Sequence, residues 1–163
     1  MLVLGLDPGL ATTGFGLVRG DSERLELVEY GVICTEAGAK LADRLVLLHD
    51  AVAELLARNA PDVAAVEELF FSTNARTAML VGEARGVLML TLAQAGLPIY
   101  EYKPMQVKQA ITGYGSADKN QIQQMVRLLL SLDAAPEPDD AADALAVSIC
   151  HHHSARMLAL LDH

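Results

Sequence analysis

The residues Leu2-Val3-Leu4-Gly5-Leu6-Asp7-Pro8-Gly9 constrain the fold of this chain more than any other stretch. Four of the five residues from Leu2 to Leu6 are large and aliphatic, and nothing polar interrupts them before Asp7. A short continuous apolar run that stops at Pro-Gly predicts a strand buried on both faces. Asp7 then falls at the carboxyl end of a central strand. In open α/β sheets, that edge is where ligands and chemistry collect. A carboxylate there is costly to bury alone, so it requires a cation, a donor or water. Asp-Pro-Gly is also good turn chemistry, and on this segment alone Asp7 reads equally as a turn opener.

The next segments build outward from that strand. Leu10 to Val18, where Thr, Phe and Val alternate with Gly14 and Gly16, predicts a second strand after a tight turn. Leu25, Leu27, Val28, Tyr30, Val32 and Ile33 predict a third, so the opening is an antiparallel meander. Leu41, Leu45, Leu48, Val52, Leu55 and Leu56 recur at helical spacing and predict an amphipathic helix over 40–59, ended by Pro61. Val63 to Val66 is a short apolar strand closed by Glu67-Glu68. A strand that follows strand and helix should lie parallel to one already placed. Beside the first strand, it would bring Asp7 and Glu67 to one sheet edge, with Glu68 on the other face.

Ala75 to Gln94 predicts a second long helix, in which Gly82 and Gly86 permit close approach to the sheet or to a second copy. Pro98 to Tyr102 reads as a fifth strand. Shorter helices are expected over 106–112 and 118–132, with Ile122, Met125, Val126, Leu129 and Leu130 facing inward. A final helix starts near Asp140 and reaches the His151–His153 region, and the tail after Ser154 extends it or frays. The expectation is one domain over 1–163, with its core in about 1–153.

At 52% hydrophobic residues, the chain has enough apolar material for a substantial core, yet no run approaches the roughly 20 residues of a membrane span. No secretory signal is visible, and the two cysteines, Cys34 and Cys150, form no close pair. Both facts fit a cytoplasmic protein and exclude a disulfide scaffold or cysteine-held zinc. The net charge of −9 argues against nucleic acid until its distribution is considered. From Phe70 to Arg127, six bases face three acids, giving +3; elsewhere six bases face eighteen acids, giving −12. A basic middle beside carboxylate-rich ends could hold a polyanion across a metal site.

Asp139, Asp140 and Asp143 open the last helix after Pro138. Acids belong at helix N-termini, and one of them, Asp139, is explained as a cap. Asp140 and Asp143, three apart, share a face. With Asp7 and Glu67, they form a four-carboxylate set from three separated segments. That is the hard-oxygen donor set preferred by Mg²⁺ or Mn²⁺. Such a set can hold two ions roughly 4 Å apart and hydrolyse a phosphodiester.

Six motifs occur in order: Leu-Gly-Leu-Asp7-Pro-Gly, Ala-Val-Glu67-Glu-Leu-Phe70, Gly-Glu-Ala-Arg85-Gly, Gln-Val-Lys108-Gln, Gly-Ser-Ala-Asp-Lys119 and Asp140-Ala-Ala-Asp143-Ala-Leu-Ala. From Leu2 to about His151, this pattern resembles the RuvC family of bacterial Holliday junction resolvases. The resemblance implies an α/β, RNase H-like fold: a five-stranded mixed sheet, part antiparallel meander and part parallel, flanked by helices. It implies a homodimer that nicks two opposed strands of a four-way DNA junction and works with a branch-migration complex.

By the same resemblance, Asp7, Glu67, Asp140 and Asp143 hold two Mg²⁺ or Mn²⁺ ions. Phe70 stacks on a base near the junction centre, and Phe71 adds a second ring. Lys108 and Lys119 lie near DNA phosphates, with Lys119 able to stabilise charge at the scissile phosphate. Arg76 and Arg85 are further phosphate candidates, or solvated helix residues.

Two signals lead elsewhere and are set aside. Gly14-Phe15-Gly16 suggests a phosphate loop, but no Gly follows three places after Gly16, so the dinucleotide fingerprint fails. His151 lies eight residues after Asp143, about 12 Å along a helix, which is too far to share an ion. His151-His152-His153 therefore reads as helix-end polarity or an adventitious metal binder. An actin-like ATPase or sugar kinase opens with a similar Asp-x-Gly strand and turn. It needs a second lobe that 163 residues cannot supply. A module that binds junctions without cutting them would not require all four acids.

Overall fold

The computed structural model describes residues 1–21, 23–69 and 74–161, with side chains to Met157. Five strands, β1 (Leu2–Asp7), β2 (Thr12–Gly20), β3 (Leu25–Cys34), β4 (Val63–Glu67) and β5 (Ile99–Tyr102), form one sheet in the order β3-β2-β1-β4-β5. β1 is central, antiparallel to β2 and parallel to β4. Its pleat explains the uninterrupted apolar run. Leu2, Leu4 and Leu6 enter one core, while Val3 enters the other. Every residue from Leu2 to Leu6 is therefore buried, as expected of a strand covered on both faces.

One face is covered by α1 (Leu41–Asn59) and α2 (Ala75–Gln94), whose Leu48, Val52, Leu55, Ala84, Leu88 and Leu92 fill the first core. The other face is covered by α3 (Pro104–Thr112), α4 (Lys119–Leu129) and α5 (Asp139–Leu161). α5 lies directly across β1 and β2, burying Leu145 and Ile149 completely. This is the α/β, RNase H-like arrangement. Among the described residues, no helix is long and apolar enough to cross a membrane.

Several boundaries differ from the sequence expectations, each for a local reason. α3 begins at Pro104 rather than Gln106, because proline suits the first helical position and the Gln106 side chain accepts from the Lys103 N–H at 2.8 Å. α4 begins after Asp118, which caps it by accepting from the Gln121 N–H at 2.9 Å. It ends near Leu130 because Ser131 turns left-handed, with φ 53°. α5 continues past Ser154 to Leu161.

Asp139 is the first residue of α5, not its cap. The Pro138 carbonyl accepts from the N–H groups of Ala141 and Ala142, at 3.0 and 3.2 Å. The Asp139 carboxylate turns toward α4 instead. Gly82 and Gly86 do not bring α2 onto the sheet: Gly82 sees only Leu69 at 3.9 Å, and Gly86 faces open space.

Candidate functional site

The strand pleat decides where the acids point. Asp7 follows Val3 and Gly5 on β1, and Glu67 follows Val63 and Ala65 on β4. Val3, Val63 and Ala65 all face α5, so Asp7 and Glu67 face α5 as well. Leu6 and Val66 are paired in the parallel register, which makes the two carboxyls neighbours at the strand ends. The turn after Asp7 is pinned by Thr13, whose buried hydroxyl donates to the Gly9 carbonyl.

α5 supplies the remaining acids from its first two turns. One carboxylate oxygen each from Asp7, Asp140 and Asp143 lies within 4.8 Å of the others. Glu67 is outside this trio but is hydrogen-bonded to Asp7. The Asp7 carboxyl donates, and Glu67 accepts.

Burial, then the Glu67 charge and this bond, pushes Asp7 up to about 9 from its ordinary 3.8. Burial also raises Glu67 and Asp143, although nearby Lys119 and Lys108 pull both down. An all-oxygen donor set crowded enough to hold protons against neutral water fits a hard divalent cation, whose charge relieves the repulsion.

Two basic residues border the acids. Lys119, at the start of α4, has Nζ 3.6 Å from Asp139 Oδ2 and 4.0 Å from Asp143 Oδ2. Lys108 on α3 and Lys119 line one cavity together with Glu67 and Asp143. Asp139 takes no part in the acid trio. It accepts from Gln123 Nε2 at 2.6 Å and faces Lys119, which leaves Asp140 and Asp143 as the inward pair.

A second cavity lies on the α2 side of the strand ends, lined by Asp7, Glu67, Glu68, Thr77, Val81 and Arg85. Arg85 is bound to Glu101 on β5, so it is neither a solvated helix residue nor a free phosphate ligand. Arg76 is exposed in the first turn of α2 and does not line either cavity. Phe70 and Phe71 lie outside the described residues.

A family model for crossover junction endodeoxyribonuclease RuvC matches residues 3–151. The chain belongs to the RuvC family. A RuvC from a Roseiflexus species is 54% identical over 98% of this chain and 95% of its own. That of Chloroflexus aggregans is 55% identical over 97% of this chain and 96% of its own. The structure of Thermus thermophilus RuvC in complex with a Holliday junction substrate has a TM-score of 0.92 and 40% identity, covering 96% of each chain.

The histidine run is not helix-end polarity, because each of its rings is hydrogen-bonded to a different element. His151 Nδ1 and the Tyr102 hydroxyl share a 2.8 Å hydrogen bond, and the Tyr100 ring lies against the same imidazole at 4.4 Å between centroids. His152 reaches the Val18 carbonyl and His153 the Ala110 carbonyl, each at 3.0 Å. Successive residues 100° apart on a helix touch three different elements, so their adjacency in sequence brings no shared ligand. Burial holds His151 at about 4, and therefore neutral.

The sequence reading missed the glycines that seat α5. Gly5, Gly14 and Gly16 face that helix, and a Cβ on any of them would meet it below 3 Å. The available signal was Gly-x-Gly inside an apolar strand, which marks a close backbone approach more often than a phosphate loop.

Proposed function

We infer that this chain resolves four-way (Holliday) DNA junctions in recombination and repair. It hydrolyses one phosphodiester in each of two opposed strands. The observation that carries this reading is the convergence of Asp7, Asp140 and Asp143 within 4.8 Å, in a chain that folds as RuvC does.

Asp7, Glu67, Asp140 and Asp143 would hold two Mg²⁺ or Mn²⁺ ions, whose chemistry when bound is to activate water and stabilise the leaving oxygen. The residues around them position the DNA. Lys119, 4.0 Å from Asp143, offers positive charge to the scissile phosphate. Lys108, across the same cavity, binds a neighbouring phosphate, and Arg76 holds one farther along the strand. Phe70 and Phe71 stack on unpaired bases at the junction centre, a contact worth about 1–3 kcal/mol per base.

The unit that cuts is a homodimer, since paired nicks need two sites. Exposed Met79 and Leu90 on α2, with open space at Gly86 between them, support a contact between copies. The dimer acts with a branch-migration complex in the bacterial cytoplasm, over one nuclease domain spanning 1–163.

The test is a synthetic four-way junction incubated with the full chain and Mg²⁺ or Mn²⁺ in parallel. Symmetric paired nicks in opposed strands are expected. Tight retention without nicking in either ion would reduce the chain to a binding module.

A further inference from the structure

Gly14 is the residue that β1 register places directly opposite Asp7. It faces α5, like its strand neighbour Gly16 and unlike Phe15, which enters the other core. A Cβ on Gly14 would lie 1.9 Å from the Asp140 carbonyl oxygen, 2.5 Å from its carbonyl carbon and 3.2 Å from the Ala141 nitrogen. All three are backbone atoms of the first turn of α5, so no side-chain rotation relieves the contact.

That turn carries Asp140 and leads directly into the next, which carries Asp143, while the residue paired with Gly14 is the third acid, Asp7. The bare backbone of Gly14 is therefore the spacer between the two elements that make up the acid trio. We propose that Gly14 is a positioning residue for the metal site: its missing side chain sets the distance from Asp7 to Asp140 and Asp143.

Any side chain at this position drives the first turn of α5 back by roughly 1.5 Å, the gap to ordinary van der Waals separation. Asp7 would not follow, because β1 is held on both sides by β2 and β4. Mutating the groups that orient metal ligands ordinarily costs about 10–100-fold in affinity, and a seat that moves two ligands belongs with them. The inference rests on the cation-binding reading above and adds what fixes the site's dimensions before any ion arrives.

The experiment compares wild type, Gly14→Ala and Val52→Ala. Val52 is fully buried in the core on the opposite face of the sheet, so its truncation destabilises without touching α5. Calorimetric titration with Mn²⁺ alone gives the ion affinity of each, thermal melts give stability, and junction cleavage gives the Mn²⁺ concentration for half-maximal rate. Gly14→Ala should weaken Mn²⁺ binding at least 10-fold and shift the half-maximal concentration upward equally, with cleavage recovering at high Mn²⁺. Val52→Ala should lower the melting temperature and leave both ion readouts within twofold of wild type. A folded Gly14→Ala chain with wild-type Mn²⁺ affinity overturns the proposal. Failure of the wild-type chain to cut in either ion overturns the nuclease reading instead.

Amide exchange on the wild-type chain in EDTA tests the same point without a substitution, should Gly14→Ala not fold. If the glycine seat places the turn, the amides of Asp143, Ala144 and Leu145 are protected without ions and change little on adding Mn²⁺. Fast exchange there, slowed only by Mn²⁺, would show that the ion gathers the acids and the seat does not.

Discussion

Asp7 and Glu67 end two adjacent parallel strands and share a proton, the Asp7 carboxyl donating to the Glu67 carboxylate. The folded chain holds this proton up to a pH of about 9, whereas an unfolded chain releases it near 3.8. A group whose folded value is raised binds more protons in the native state, so stability falls as pH rises between those values. The melting temperature in EDTA should therefore decline from about pH 6.5, above the range where the buried His151 titrates, toward pH 9. Asp7→Asn removes the titrating group and should flatten the decline while raising the melting temperature at neutral pH. A slope that survives the substitution would trace the effect to another group.

The same substitution separates catalysis from recognition. Asp7→Asn should abolish junction cleavage and leave junction binding within a few-fold, because Asp7 ends β1 while the lysines proposed to meet phosphates, Lys108 and Lys119, belong to α3 and α4. Gel-shift titration beside a cleavage assay reads both. Loss of binding in parallel with cleavage would argue that Asp7 shapes the DNA surface itself.

Lys119 stands within 4.0 Å of Asp143 and is largely solvent-accessible, as a residue meeting a phosphate must be. Lys119→Ala should reduce single-turnover cleavage about 100-fold, the usual loss when one stabiliser of developing charge is removed. Binding should weaken much less. An equal loss in both would make Lys119 one phosphate contact among several.

Phe70→Ala should impair cleavage of an intact junction more than cleavage of one already opened at its centre, because stacking compensates for unpairing. Equal impairment of the two substrates would point to packing. Affinity for either should fall steeply with salt as phosphate contacts release counterions.

Tyr102→Phe deletes the hydroxyl that satisfies the buried His151 ring nitrogen. Leaving that group unpaired should cost about 1–3 kcal/mol, read as a lower midpoint in urea unfolding. His151 is held at about 4 against an ordinary 6.5, so its contribution runs opposite to that of Asp7: stability is lost as pH falls through that interval.

How far the sequence carried these conclusions varied with the kind of signal. Every strand and the first long helix were legible, because a continuous apolar run, a meander of alternating residues and helical spacing each leave a local imprint. The spread of acids over three segments was legible too, since β1 and β4 had to be parallel and the last helix had to start just after Pro138. Asp139 and Asp140 were harder to tell apart, because adjacency in sequence says nothing about which carboxylate turns inward. Gln123 and Lys119 on α4 draw Asp139 away. His151 to His153 misled for the same reason: three neighbours in sequence were bound to three different elements of the fold.

By itself, then, the sequence determined the elements, their order and the residue types able to hold a cation, because periodicity and side-chain chemistry are local properties. Only the tertiary structure decided that Asp7, Asp140 and Asp143 lie within 4.8 Å of one another and that Glu67 is tied to Asp7. Those distances depend on how closely α5 approaches β1 and β2. Glycines with no side chain in the way set that approach, and their meaning exists only once the helix is packed against them.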